Sequence, residues 1–327
     1  MRRSASEKLE LIRLVEGSDL SARDTLRHLD VPRSTFYGWY QRFLDDGVDG
    51  LEDHKPKPRR QWNRLPDRVQ AEVLQLALAR TDLSPRELAC TYTDERRSFV
   101  SESSVYRILK AHDLITSPAY VLLSASDSFK HPTRRVHELW QTDFTYLRVI
   151  HWGWYYLSTV LDDFSRYVIA WKLSPTMGAT DVKETLDMAL ASSGQSSARV
   201  RHRPRLLSDN GPAYISGDLR DYLEKQQMKH TRGAPYHPMT QGKIERWHRS
   251  MKNVVKLEHY YSPEELERAI AKFVNYYNNE RYHESLDNVT PADVYLGRHH
   301  EVLSRRGKIK QLTLRRRKRE NLAAQVA

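Results

Sequence analysis

The chain has 327 residues, enough for two or three domains, and its 53 Lys and Arg against 42 Asp and Glu give a net charge of +11. That excess points to a polyanionic partner, nucleic acid more than membrane, and no apolar run reaches the length of a membrane span. The single cysteine, Cys90, excludes an internal disulfide and any zinc site that needs two thiolates; with no signal-like apolar stretch at the N-terminus, the expected compartment is the cytoplasm.

Residues 1–46 read as three short helices. Glu7–Val15 is amphipathic and ends at Gly17. Ser21 can cap a second helix through Leu26 and Leu29. After the turn Asp30-Val31-Pro32-Arg33, Ser34 can cap a third helix that carries Phe36, Trp39, Tyr40 and Phe43. Two helices joined by so short a turn describe a helix-turn-helix, whose second helix enters the major groove of duplex DNA. Arg33, Ser34, Thr35 and Tyr37 would then face the DNA.

Residues 47–66 form a Pro-rich basic linker, in which Lys55, Lys57, Arg59 and Arg60 could follow a phosphate backbone or a minor groove. Residues 67–115 suggest a second helix-turn-helix-like domain. Its helices are expected over Asp67–Ala79, after Ser84-Pro85, and after the Ser101–Ser104 run through Ala111. Cys90 falls in the middle one as a small buried hydrophobe. Residues 116–134 connect this helical half to the rest of the chain.

Residues 135–297 change character. Glu138–Val149, Trp154–Asp162 and Tyr167–Leu173 are β-type runs separated by short turns, which implies an antiparallel meander. A helix is expected over Ala179–Ser192, a short apolar strand over Arg205–Ser208, a helix after Ser216 and an edge strand at Lys229-His230-Thr231. Pattern alone gives an α/β class with a mixed sheet. Two carboxylates fall in or just past its strands, Asp143 in Leu139–Tyr146 and Asp209 before the Asn210-Gly211 turn. A buried acid is costly unless it is paired or binds a metal.

A third acid, Glu245, comes after Gly242 on a helix. Ile244, Trp247 and Met251 form that helix's apolar stripe, while Gln241, Glu245, Arg249 (or His248) and Lys252 share another side. Pro263–Asn279 is a long helix expected to brace it. From 298 to 327 the charge concentrates into a basic tail of the kind that binds nucleic acid. The adjacent acids Asp162 and Asp163 read as a turn or packing pair with Arg166. Tyr236 and His237 read as loop residues.

Asp143, Asp209 and Glu245, with 35 residues between the last two, resemble the D,D(35)E triad of retroviral-integrase-type transposases. The words around them are similar too: Trp140-Gln141-Thr142-Asp143, Leu161–Arg166, Ser208-Asp209-Asn210-Gly211, Tyr236-His237-Pro238 with Gly242–Arg246, and Asn275–Asn279 with Thr290-Pro291. The resemblance runs over Leu139–Leu296 and is to bacterial insertion-sequence transposases. It implies N-terminal all-α helix-turn-helix modules followed by an RNase H-like mixed-sheet core. It also implies two Mg²⁺ ions per site, with Mn²⁺ as a substitute, because all three ligands are oxygen donors. Asp143 would bridge the metals, and Asp209 and Glu245 would each hold one. Lys243, Arg249 and Lys252, with Gln241, would hold phosphates of double-stranded DNA. Two element ends must be held together, so a homo-oligomer, at least a dimer, is expected. The absence of a cysteine-rich N-terminal module departs from retroviral integrases. A catalytically silent regulator and an RNase H-like nuclease remain alternative outcomes of the same residues.

Overall fold

The computed structural model describes residues 4–18, 20–52, 62–115, 133–196, 202–233 and 242–326. It divides into two compact units, Met1–Trp62 and Asn63–Ala327.

The described residues of the first unit form the α-helices α1 (Ala5–Glu16), α2 (Ala22–His28) and α3 (Arg33–Asp46), followed by a single 3-10 turn, Asp49–Leu51. Ser4 and Glu7 close a reciprocal capping box at the start of α1, and Ser21 caps α2. α3 differs from expectation. It begins at Arg33 behind Pro32, and no side chain caps it, so Ser34 lies inside the helix. Pro32 supplies a fixed φ and has no N–H to satisfy, which is enough to start it. Ile12, Leu26, Val31, Phe36 and Leu51 fill the core. Lys8 threads its stem through this core and donates to the Leu51 carbonyl at 3.0 Å. Gly50 is required there, since a Cβ would stand 2.2 Å from the Arg42 carbonyl oxygen.

The second unit opens with α4 (Asp67–Ala79), α5 (Pro85–Arg96) and α6 (Glu102–Ala111), capped at α5 by a Ser84–Glu87 box and at α6 by Ser101. Val73, Leu88, Tyr92, Val105 and Leu109 form their shared core. Then comes one five-stranded sheet: β1 (Leu139–Val149), β2 (Gly153–Asp162), β3 (Val168–Ser174), β4 (Arg205–Ser208) and β5 (His230–Arg232). Its order is β3-β2-β1-β4-β5. β1, β2 and β3 are antiparallel, and β4 and β5 run parallel to β1. An antiparallel meander extended by two parallel strands is the RNase H-like arrangement.

Strand alternation decides what each face meets. Trp140, Val160 and Ala170 point to α7 (Ala179–Ser192), α8 (Pro212–Ile215) and α9 (Gly217–Lys225), packing with Val182, Leu186, Tyr214 and Leu219. Leu147, Leu157 and Leu161 point the other way, to α10 (Gly242–Val255) and α11 (Pro263–Asn279), packing with Ile244, Trp247, Met251, Ile270 and Phe273. Asp143 shares the parity of Leu147 and so faces α10.

Beyond α12 (Pro291–Tyr295), the segment expected as a basic tail is the helix α13 (His299–Val326). Val302, Ile309, Thr313 and Arg317 are buried along it at helical spacing. That stripe was hidden in the sequence because two of its four members are polar.

Candidate active site

Three elements build the site. β1 presents Asp143, the loop after β4 presents Asp209, and α10 presents Glu245, His248 and Lys252. β1 pairs with β4 in parallel, with Gln141 opposite Leu207. Continued by two residues, that register sets Asp209 abreast of Asp143.

Asp143 keeps 20% of its side chain exposed, with His248 Nδ1 at 3.4 Å from its Oδ2. The Phe144 N–H donates to its Oδ1 at 2.9 Å. The other nitrogen of His248, Nε2, lies 3.5 Å from Thr159 Oγ1. Asp209 accepts the Gly211 N–H at 2.9 Å, in a turn where a Cβ on residue 211 would stand 3.0 Å from the carboxylate. Burial pushes the Asp209 carboxyl up; the Gly211 N–H opposes this and the charge of Asp143 adds to it. Neither aspartate forms an ion pair with a Lys or Arg among the described residues. Two neighbouring carboxylates, one raised partly by the other and neither held by a Lys or Arg among the described residues, are the donor set a hard divalent cation fits.

Behind them Tyr214 is buried, its hydroxyl 3.4 Å from Thr142 Oγ1, and burial pushes it well above its ordinary range. Lys252 lies over the Tyr146 ring at 4.6 Å. Burial, then Lys256, hold its ammonium down, against the pull of Asp143. Glu245 lies on the exposed side of α10, in its first turn. The charge of Asp143 reaches Asp209, and among the described residues no three His, Cys, Asp or Glu converge to hold a metal. Glu245 does share a helix side with His248 and Lys252, three and seven residues on, and both of these act on Asp143.

These residues have relatives among known proteins. A model of the integrase core domain matches residues 133–238, and a second integrase core model matches 226–291. A helix-turn-helix domain model matches residues 7–60 and a homeodomain-like model 35–109. The transposase InsF of insertion sequence IS3A from Escherichia coli (strain K12) is 30% identical over 160 residues, 47% of this chain and 52% of that protein. InsF of IS3fB, from the same strain, is 29% identical over 287 residues, 84% of this chain and 93% of that protein. The chain is a homologue of insertion-sequence transposases with an integrase core. It spans about half the length of the IS3A relative and of the transposase of IS629 from Shigella sonnei. The catalytic core of HTLV-2 integrase, in complex with magnesium, superposes at a TM-score of 0.39 with 21% identity, covering 49% of this chain and 97% of that one. The strand order, not this likeness, identifies the fold.

The residues expected on DNA divide in this transposase homologue. Arg33, Ser34, Thr35 and Tyr37 are exposed on α3, while Phe36 beside them is buried. Arg249 is exposed and Lys252 half-buried. Gln241, Lys55, Lys57, Arg59 and Arg60 lie outside the described residues, as do Tyr236 and His237.

Lys243 corrects the expectation of a phosphate contact. Its ammonium is turned inward, 2.8 Å from Asp163 Oδ2 and 2.9 Å from the Asp163 carbonyl, with 12% of the side chain exposed. Asp163 also accepts from Gln141 Nε2 at 2.7 Å and Thr133 Oγ1 at 2.5 Å. Gln141 Oε1 in turn accepts the Ile244 N–H at 3.1 Å, one of the open donors of the first turn of α10. Asp162 accepts from Ser165 N and Oγ and from His137 N at 2.7–2.8 Å. The acid pair is structural, with Ser165, His137, Gln141 and Lys243 as its partners. Gln141 and Asp163 thus tie β1 and β2 to the residue next to Glu245. The sequence signal was a polar residue two positions before Asp143 on a buried strand face, which needs a partner.

Proposed function

We propose that this chain is a DNA transposase that cuts at element ends and joins the freed 3′-hydroxyl to a target strand, with Asp143, Asp209 and Glu245 as its catalytic carboxylates. The single observation that carries this is the pair Asp143 and Asp209, abreast at adjacent strands, with no Lys or Arg ion-paired to either among the described residues. Homology to transposases supports the reaction class.

Asp143 and Asp209 would hold Mg²⁺, or Mn²⁺ in its place, with Glu245 as the third ligand. Bound there, two such cations lower the cost of forming a nucleophilic oxygen and stabilise the leaving oxygen at phosphorus. The chain's own residues do the rest. His248, lodged between Asp143 and Thr159, fixes the Asp143 carboxylate. The Gly211 N–H fixes that of Asp209. Arg249 and Lys252 stand on the Glu245 side of α10, where a phosphate neighbouring the reacting one would lie. In joining, the 3′-oxygen forms a bond to a target phosphorus, the bond to the target's own 3′-oxygen breaks, and the proton passes from the attacking to the leaving hydroxyl through solvent. α3 would enter the major groove through Arg33, Ser34, Thr35 and Tyr37. A homo-oligomer would bring two ends together.

The test uses duplexes copied from the DNA flanking the reading frame, incubated with Mg²⁺ and the protein or Asp143→Asn. We expect joined products from the protein, their loss in the variant, and equal duplex binding by both. Joining by the variant overturns the assignment. Cleavage without joining in the parent protein assigns a nuclease instead, and specific binding without chemistry in either assigns a regulator.

A further inference from the structure

α13 is 28 residues long, about 42 Å at 1.5 Å per residue. One side of it is anchored along most of that length. Val302 packs with Val289 and Val294. Arg306 holds Asp94 of α5 at 2.6 and 2.9 Å and donates to the Asn288 carbonyl at 2.6 Å. The Phe99 N–H donates to Thr313 Oγ1 at 3.1 Å, and Arg317 donates to the Phe99 carbonyl. At 100° per residue, positions 302, 306, 309, 313 and 317 fall on one stripe.

The opposite stripe is basic. Lys308, Arg315, Lys318 and Arg319 all lie within about 60° of the direction directly away from the anchor, and all four are exposed. None of them has an acidic partner among the described residues. α13 has two acids through Glu320: Glu301 shares the outward sector but sits in the first turn, seven residues before Lys308, and Glu320, 3.9 Å from Arg316, falls on the anchored side, so none interrupts the run from Lys308 to Arg319. Arg315 and Arg319 are four apart, a like-charge spacing that weakens an isolated helix. A solvated surface helix ordinarily intersperses acids at these spacings. This one concentrates repulsion on its outward side, and a polyanion laid along that side would relieve it.

We infer that the outward stripe of α13 is a contact for the phosphate backbone of duplex DNA, held in fixed register to the α4–α6 bundle and the core by the anchored stripe beneath. The inference rests on the DNA-joining function proposed above. A membrane surface fits less well. An interfacial helix needs a broad apolar side to bury, and α13 already uses its own inside the protein, leaving among the described residues only Leu312 and Leu322 as large apolar residues exposed.

The test is the salt dependence of binding of the full chain to one duplex between 50 and 200 mM salt, a range set by the steepness of counterion release. The variant is Lys308→Gln, Arg315→Gln, Lys318→Gln, Arg319→Gln, four exposed changes to a good helix former that leave the melting temperature in place. Removing one cation from a backbone phosphate flattens the plot of log K against log salt by about 0.9, so we expect a slope shallower by about 3 to 4 and an equal loss of affinity across duplex sequences. A control removes four exposed cations elsewhere, Arg220→Gln, Lys225→Gln, Lys229→Gln, Lys272→Gln. An unchanged slope in the stripe variant, or an equal change in the control, overturns the inference. So does a variant that loses binding only to phosphatidylserine vesicles. A parent protein that binds no duplex refutes the proposed function itself, whereas joining by the parent with an unchanged variant slope refutes only the stripe.

Discussion

Lys243 shows what one residue can and cannot say in a sequence. Two positions before an acid, in a basic stretch, a lysine reads as a phosphate contact. Its actual partner, Asp163, lies 80 residues away and is reached only once β2 and α10 pack together. The same distance hid Gln141, whose amide joins Asp163 to the start of α10. The two aspartates stand out in the sequence because an acid in or just past an apolar strand has few structural uses. The two roles of Lys243 separate by experiment. As an internal pin, Lys243→Met leaves Asp163 short of its cation at a site where breaking a buried pair costs about 3–5 kcal/mol. We expect a lower melting temperature and weaker joining with an unchanged salt slope for DNA binding, and Lys243→Arg to restore much of the stability. A slope shallower by about 1 with full stability would return Lys243 to the phosphate backbone.

At the scale of elements, helices and strands followed the sequence where caps and alternation agreed. The Ser84–Glu87 box starts α5 where expected, and β1–β3 lie within one or two residues of their runs. α13 was missed for a physical reason. Its anchoring stripe contains Arg306, Thr313 and Arg317, which satisfy themselves against Asp94 and Phe99, so hydrophobic periodicity barely marks it. Asp94 is central to that anchorage, accepting from Arg306 and, at 3.0 Å, from the Tyr282 hydroxyl. Arg306 is only 13% exposed. Asp94→Ala therefore leaves a largely buried guanidinium uncompensated, and we expect a loss of about 3–5 kcal/mol together with faster amide exchange along α5 and α13. A loss under about 0.5 kcal/mol would show that α13 is held by its apolar contacts alone.

For the whole molecule, the net charge of +11 suits the polyanionic partner proposed above and is read before any element is placed. Among the described residues no helix is long and apolar enough to cross a membrane. The architecture obeys the same logic, with helical modules first and then a mixed sheet whose central strand β1 carries Asp143 and whose neighbour β4 leads into Asp209. The third acid is supplied by resemblance: Glu245 stands on the exposed side of α10, a helix turn from the His248 that touches Asp143. The decisive measurement is therefore strand transfer by Glu245→Gln beside the parent protein, on the same end duplexes with Mg²⁺. Removing a ligand whose charge is needed only for chemistry should lower joining at least 10³-fold, about 4 kcal/mol of transition-state stabilisation, with duplex binding unchanged. Joined product at the parent level would contradict a three-carboxylate site and leave Asp143 and Asp209 to act without it.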